Sequence, residues 1–234
     1  MEALSVVLPA YDEVSRIDGG FGGLAALRAA WPGEVHAVFV DDGSGDGTAD
    51  ALAARLGPDD RLLREPHRGK GGALRAGVLA TDTPWVLLSD IDWSVPAREV
   101  LRLRATDADV AIAVREGPGA RRLGEPLWRH LTGRAFNLLV QSVVLAGHED
   151  TQCGFKLLRG DIARSLFART TIDGWAIDVE LLALAHAVPL RVGEVPVTWR
   201  YAPDSRVRVL ADAVATAREV WAVRWRWHSG AYRT

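Results

Sequence analysis

Two carboxylates one residue apart, Asp90 and Asp92 in VLLSDIDW (86–93), follow a run of apolar residues. An aspartate at a strand end is often a turn residue or a helix cap. Two with this spacing also set hard oxygen donors side by side, as a divalent cation shared with a diphosphate requires. A second acidic pair, Asp41 and Asp42, ends the apolar run VHAVFV (35–40) and precedes glycines at 43, 45 and 47. These glycines match neither G-x-x-x-x-G-K-[ST] nor G-x-G-x-x-G. The stretch is either a turn whose Asp46 or Thr48 caps a helix, or a place where ionised carboxylates accept hydrogen bonds from a base and a ribose. A third segment, HRGKGGALRAG (67–77), puts Lys70 near the start of a helix, where unpaired N–H groups and a full charge favour an anion.

Strand-like and helix-like stretches alternate over the first hundred residues and would position these groups. Apolar runs at 4–10, 35–40, 61–64 and 85–90 are separated by helical segments ending near Ala30, Leu56 and Leu79. That alternation is the pattern of an α/β sheet with helices on its faces, and in such sheets ligands bind at the carboxyl ends of strands. The loaded ends are PAYDE (9–13), the Asp41–Asp42 pair and SDID (89–92).

A chain of 234 residues with 48% hydrophobic and 25% charged residues has the composition of one ordinary globular unit. Its net charge of −2 gives no overall attraction to nucleic acid. The single cysteine, Cys153, forms no internal disulfide or multi-cysteine zinc site and reads as a small core residue in a reducing, cytoplasmic compartment. The first residues read directly as a strand, without the pattern of a signal peptide. No apolar stretch approaches the roughly 20 residues a bilayer-spanning helix needs. The basic residues are nearly all arginine, with Lys70 and Lys156 the exceptions, a bias that reads as genome composition. The histidines lack H-E-x-x-H spacing and there is no G-x-S-x-G elbow, so metalloprotease and serine-hydrolase chemistry are not supported. His186, on an apolar helix, is expected to be packed.

The order PAYDE, VDDGSGDGT (40–48), GKGGALRAG (69–77), DID (90–92), DTQCGFK (150–156), WAIDVELL (175–182) and VPVTWRYAPDSRVR (195–208) resembles glycosyltransferase family 2. Within that family it is most similar to the dolichyl- and polyprenyl-phosphate sugar transferases. The resemblance implies a GT-A type α/β domain with a mixed, mostly parallel sheet flanked by helices. This domain would span 1–208, with a nucleotide-binding half to about residue 100 and an acceptor half beyond it; 209–234 would be a C-terminal amphipathic helix and tail. It further implies that Pro9, Tyr11, Glu13 and Asp42 line a nucleotide pocket with Asp41 close by. Asp90 and Asp92 would hold Mg²⁺ or Mn²⁺ against the donor diphosphate, with Ile91 and Lys70 also at the substrate. Arg115, ending DVAIAVR (109–115), would face the active site, and Arg200 and Arg206 would approach the phosphates. Asp12 stands where the family usually has asparagine, and Trp93 and Ser94 follow the acidic triplet where small or amide residues are common.

The implied reaction moves a hexose, with UDP-glucose favoured over GDP-mannose, to polyprenyl phosphate with inversion. A lipid phosphate is already largely ionised at neutral pH, its second pKa lying near 6, so it needs no general base. A soluble hydroxyl acceptor would need one, and Asp178 occupies the position where many family members carry it. With a phosphate acceptor, Asp178 or Asp150 would instead orient the acceptor; alternatively Asp178 simply caps VELLALAHA. Lys156 is expected to be solvated beside a bend at Gly154. A non-catalytic nucleotide-sugar-binding protein is the reading from another class.

The last stretch, a helix from about Val209 to Trp227, interleaves Arg218, Arg224 and Arg226 with Trp221, Trp225 and Trp227. Tryptophan with arginine suits a bilayer interface; core packing and an oligomer contact are the competing readings. Without an aromatic platform elsewhere, single-stranded nucleic acid is not an expected partner.

Overall fold

The strand-like runs and the helices between them form, in the computed structural model, a seven-stranded sheet with helices on both faces. The structure describes residues 2–144, 148, 150–202 and 209–233. The first half contains β1 (Leu4–Ala10), α1 (Ile17–Ala30), β2 (Val35–Asp41), α2 (Thr48–Ala53), β3 (Arg61–Arg64), α3 (Lys70–Leu79) and β4 (Trp85–Leu88). The second half adds α4 (Val100–Arg104), β5 (Val110–Val114), β6 (Arg121–Leu123), α5 (Leu127–Val143), β7 (Lys156–Arg159), α6 (Gly160–Phe167), α7 (Ile177–Ala187), β8 (Val192–Pro196), β9 (Thr198–Arg200) and α8 (Val209–Ser229).

The strand order is β3-β2-β1-β4-β7-β5-β8. Only β7 runs antiparallel to its neighbours β4 and β5; the other pairs are parallel. Strands β6 and β9 form a separate parallel pair. From β1 the chain steps outward to β2 and β3, then crosses back to place β4 on the other side. The carboxyl ends of β1 and β4 therefore flank a topological switch point, the crevice where open α/β sheets bind ligands.

Alternate side chains of the strands feed two cores, as a period of two requires. Val7, Val38, Val40, Val86 and Leu88 meet α3, α6 and α7 on one face. Leu4, Val6, Leu8, Phe39 and Leu87 meet Ile17, Leu24 and Leu27 of α1 on the other. Helix α3 lies close to the sheet because it has a glycine at the contact: a Cβ on Gly77 would come within 2.4 Å of Val7 Cγ1.

Local differences from the sequence reading have local causes. Helix α3 begins at Lys70, two residues earlier than expected, because Gly69 adopts φ +117 and turns the chain into the helix. Helix α2 stops at Ala53, short of Leu56, and has no side-chain cap; Gly47 at φ +92 precedes it. Asp46 and Thr48 are used elsewhere: Asp46 Oδ2 accepts from the Val14 amide and Thr48 Oγ from the Glu13 amide, tying the loop after β1 to the loop after β2. Helix α5 was not anticipated at all.

The C-terminal helix packs on α7, with Thr216, Val220 and Val223 buried. Glu219 accepts from the Ala176 amide at 3.0 Å, and Tyr232 donates to the buried Glu180 at 3.0 Å. Glu180 also takes the amides of Thr171 and Ile172, so this acid of WAIDVELL serves the fold. Trp221 and Trp225 on the opposite side of α8 are exposed. The helix thus combines the packing reading with an outward aromatic face. His186, expected to be packed, sits exposed at the end of α7 with its Nε2 2.6 Å from that of His148.

Candidate active site

The ends of β1, β2 and β4 open into a cleft of about 750 Å³. Pro9, Tyr11, Glu13, Asp42, Lys70, Asp90, Ile91, Asp92, Arg115 and Asp178 all line it. The acceptor half contributes Thr132 and Gly133 of α5, Gln152, Cys153, Trp175, Trp199, Tyr201 and Thr216 of α8.

On the nucleotide side, the Asp42 carboxylate is consumed by the 67–69 loop. It accepts from the amides of Arg68 (2.9 Å) and Gly69 (2.8 Å) and faces His67 Nδ1 at 2.8 Å. His67 in turn stacks on Tyr11, with ring centroids 4.1 Å apart and an interplanar angle of 23°. Asp42 therefore builds an aromatic wall as well as lining the cleft. Asp41 lies behind it, buried and outside the lining residues; its Oδ2 takes the Ser44 amide at 3.3 Å and its Oδ1 has no partner. Asp12, at φ +53, accepts from the Gly45 amide and so joins the loops after β1 and β2.

The acidic pair sits on a strained turn just past β4. Trp93 adopts φ +48, uncommon for a bulky residue, and the reason is its packing. Its indole lies where a side chain on Gly23 would have to go, and its Nε1 donates to Gly20 O at 2.9 Å. Trp93 thus clamps the turn to α1. Asp92 Oδ1 accepts the Ser94 amide at 2.9 Å, and its Oδ2 lies 3.9 Å from Arg16 Nη1. Arg16 also holds Glu13 at 3.1 Å and leaves its Nη2 buried without a partner beside the cleft.

The two aspartates differ in ionisation. Burial works against charge on Asp90, but Lys70, and then Lys156 and Arg115, outweigh it and hold the carboxyl below the usual range. Burial and the adjacent Asp90 charge push Asp92 up, partly opposed by Ser94 and Arg16. Two oxygen-donor side chains with an approach for phosphate suit a hard cation that keeps other sites for substrate. Among the described residues no cluster of three or more His, Cys, Asp or Glu could hold a metal by itself.

Behind the pair runs a line of alternating charge. Lys70 Nζ is 2.9 Å from Asp90 Oδ1 and 3.8 Å from Asp178 Oδ2, and Lys156 donates to Asp178 Oδ1 from the other side. Burial disfavours the Lys70 ammonium, yet Asp90 and Asp178 together keep it charged far above neutral pH. Lys156, expected in solvent, is fully buried and also donates to Cys153 O. The only two lysines of the chain thus converge on one aspartate. A compact ammonium fits between close carboxylates where a planar guanidinium does not, so the lysine positions have a local reason that the arginine-rich composition hid. Asp178 does not cap α7, since Ala176 is the preceding cap residue and the Asp178 carboxylate turns to the lysines. Gly154 is obligatory here: a Cβ would stand 2.6 Å from Asp90 Oδ2 and 3.0 Å from Lys70 Nζ.

Asp150 lies outside the lining residues, where it fixes Arg115. Arg115 donates Nε at 2.6 Å, Nη2 at 2.9 Å and its backbone amide at 3.0 Å to that carboxylate. Although burial works against both charges, the pairing holds Asp150 well below the ordinary aspartate range and Arg115 above the ordinary arginine range. Arg200 is exposed on β9 and does not line the cleft; only its backbone reaches inward, to Ser94 O at 2.8 Å. Arg206 lies outside the described residues. Cys153 is buried as expected, and burial pushes its thiol up to about 11. Arg16, His67 and Trp175 are cleft residues that the sequence reading did not single out; each lies within a few residues of a quoted motif, which was the signal available.

A mostly parallel sheet with a nucleotide-sized cleft at its switch point and an acidic pair after the fourth strand defines a GT-A type glycosyltransferase. The chain belongs to glycosyl transferase family 2, whose family model matches residues 5–166. It is 27% identical over 251 residues to a dolichyl-phosphate beta-glucosyltransferase of Dictyostelium discoideum, spanning 98% of this chain and 76% of that one. To the Mus musculus protein of the same name it is 30% identical over 254 residues, spanning 98% and 77%. Among solved structures it resembles glucosyl-3-phosphoglycerate synthase of Mycobacterium tuberculosis with Mn²⁺, UDP and glucosyl-3-phosphoglycerate (TM-score 0.68, 20% identity, 97% of this chain and 80% of that one). It also resembles mannosyl-3-phosphoglycerate synthase of Rubrobacter xylanophilus (TM-score 0.69, 20% identity, 97% and 75%). These structural likenesses establish the fold.

Proposed function

We infer that the protein transfers glucose from UDP-glucose to a polyprenyl phosphate, with Asp90 and Asp92 holding Mg²⁺ or Mn²⁺. The observation that carries this reading is the state of Asp178. A carboxylate pinned between two ammonium groups is a poor proton acceptor, so the residue best placed by sequence to activate a hydroxyl is engaged in holding Lys156 and Lys70. A phosphate nucleophile needs no such base. Relatives named dolichyl-phosphate beta-glucosyltransferases support the same acceptor and sugar.

In this mechanism a phosphate oxygen of the acceptor attacks the anomeric carbon, and the bond from that carbon to the donor β-phosphate breaks with its electron pair leaving on the nucleotide diphosphate. Attack opposite the leaving group inverts the centre, and no proton moves. The bound cation would neutralise charge developing on the leaving diphosphate. Lys70, and Arg16 with its unpartnered Nη2, supply further positive charge on that side. Arg115, its Nε and Nη2 edge fixed by Asp150, offers Nη1 to the acceptor phosphate. Tyr11 and His67 present an aromatic wall to the base, with Pro9 and Glu13 beside it. Asp41 and Asp150 act as supports, and Arg200 and Arg206 belong to the segment that would approach the lipid phosphate.

No helix among the described residues is long and apolar enough to cross a membrane. The protein meets its lipid acceptor as a peripheral protein on the cytoplasmic face, with α8 in contact with the bilayer. The test is a label-transfer assay with UDP-glucose or GDP-mannose, polyprenyl phosphate, and Mg²⁺ or Mn²⁺. Glucose label in the organic phase that EDTA abolishes is expected. Label from GDP-mannose alone would reassign the donor, and metal-dependent donor cleavage without lipid label would move the acceptor to a hydroxyl compound.

A further inference from the structure

Helices α5 and α8 carry the same outward pattern. On α5, Leu127, Leu131, Arg134 and Leu138 fall at positions i, i+4, i+7 and i+11, one stripe of a helix surface. All four are exposed, Leu127 by 72%, and Trp128 stands exposed beside them. On α8, Val214, Arg218, Trp221 and Trp225 repeat the spacing, again all exposed, Trp225 by 71%. An amphipathic helix normally turns such a stripe inward. Here the buried residues lie elsewhere: Val140 on α5, and Thr216, Val220 and Val223 on α8. The helices touch each other, and the cleft is bordered by both, through Thr132 and Gly133 of α5 and Thr216 of α8.

Charge is segregated with these stripes. The two helices contain five arginines (129, 134, 218, 224 and 226) and two acids (Asp212 and Glu219) in a chain whose net charge is −2. Helix α5 has no acidic residue. Arg134 reaches Glu116 at 3.3 Å, and the Arg224 guanidinium lies 5.7 Å from the Trp221 ring centroid. Exposed leucine and tryptophan among arginines, on a surface opposite in sign to the rest of the chain, match an anionic bilayer: apolar side chains enter the acyl boundary while guanidinium groups meet headgroup phosphates.

We propose that α5 and α8 together form a membrane-docking face beside the cleft, with α5 contributing as much as the C-terminal helix, and that its occupant is the surface of an anionic bilayer. The proposal deepens the lipid-phosphate reading, on which its biological sense rests, by naming the surface that brings the cleft to the acceptor.

The test is co-sedimentation of the full chain with phosphatidylglycerol-rich vesicles, comparing wild type with Leu131→Glu/Leu138→Glu on α5 and Trp221→Glu/Trp225→Glu on α8. These side chains face solvent, so circular dichroism is expected to stay unchanged. Each pair should lower vesicle partition at least about tenfold, because burial of two large side chains is lost, and added salt should weaken wild-type binding. Wild type that stays in the supernatant, or α5 variants that sediment as wild type does, would overturn the proposal. So would a lipid-free, concentration-dependent dimer that the α5 pair dissolves, since the stripe would then belong to a second copy. On the same variants, transfer to a short-chain, water-soluble polyprenyl phosphate should persist while transfer to vesicle-embedded acceptor falls. No transfer to either acceptor by wild type, with vesicle binding intact, would remove the acceptor reading and leave the docking face standing.

Discussion

The two sides of the cleft are built by different means. The donor side consists of strand ends whose loops are stitched by backbone hydrogen bonds, as where Asp42 takes the amides of Arg68 and Gly69 and Thr48 takes that of Glu13. The acceptor side consists of helix faces and one ion pair, Arg115 with Asp150, and two of its helices leave apolar stripes in solvent. A sheet edge fixes a polar ligand by geometry that short motifs spell out. Helix faces define a surface, which suits a large apolar partner and leaves little trace in any one motif.

Substitutions on each side sharpen that contrast. The largest expected effect is Asp92→Asn, which should reduce metal-supported transfer by about three orders of magnitude, the scale of losing cation stabilisation of a leaving group. Circular dichroism should remain that of wild type; turnover close to wild type would remove the acidic pair from the mechanism. On the acceptor side, Asp150→Asn leaves Arg115 buried without its counter-charge and should cost about 3–5 kcal/mol of stability at neutral pH by urea denaturation. Because pairing depresses the folded Asp150 value, its contribution is complete above the unfolded value of about 4 and lost as pH falls through the folded one. The gap between the proteins should therefore stay constant down to about pH 4 and close only below it; a gap that closes near neutrality would refute the assignment.

Smaller effects probe the space between the sides. Gly154→Ala pushes a methyl group against Asp90 and Lys70 and should lower stability by about 1–3 kcal/mol, with a higher Mn²⁺ concentration needed for half-maximal activity. An unchanged metal requirement would show that the bend at Gly154 has no hold on Asp90. Tyr11→Ala removes one ring of the aromatic wall and should raise the donor KM about tenfold, the scale of one base–aromatic stack, with kcat little changed. A fall in kcat at constant KM would place the base elsewhere.

Several features were legible because they depend on local order. The four apolar runs, the glycine-interrupted first helix and the acidic strand ends follow from side-chain type and period, and the order of the seven motifs identified the family. Lys156 was not legible: a lysine after Gly154 and Phe155 reads as solvated, and only the antiparallel insertion of β7 between β4 and β5 buries it against Asp178. Asp46 and Thr48 read as caps because their tertiary partners, the amides of Val14 and Glu13, lie more than 30 residues away in the chain. Helix α5 was missed because its leucines occupy the face that does not pack, so its periodicity carried no core signal.

By itself, then, the sequence determined the sheet, the family and the carboxylates that face a nucleotide sugar, since these arise from short-range patterns and from motifs carried on single loops. Tertiary structure alone decided that two lysines immobilise Asp178, that Asp150 serves Arg115, and that two distant helices share one exposed stripe. Those are relations between segments far apart in the chain, and no local pattern encodes the distance between them.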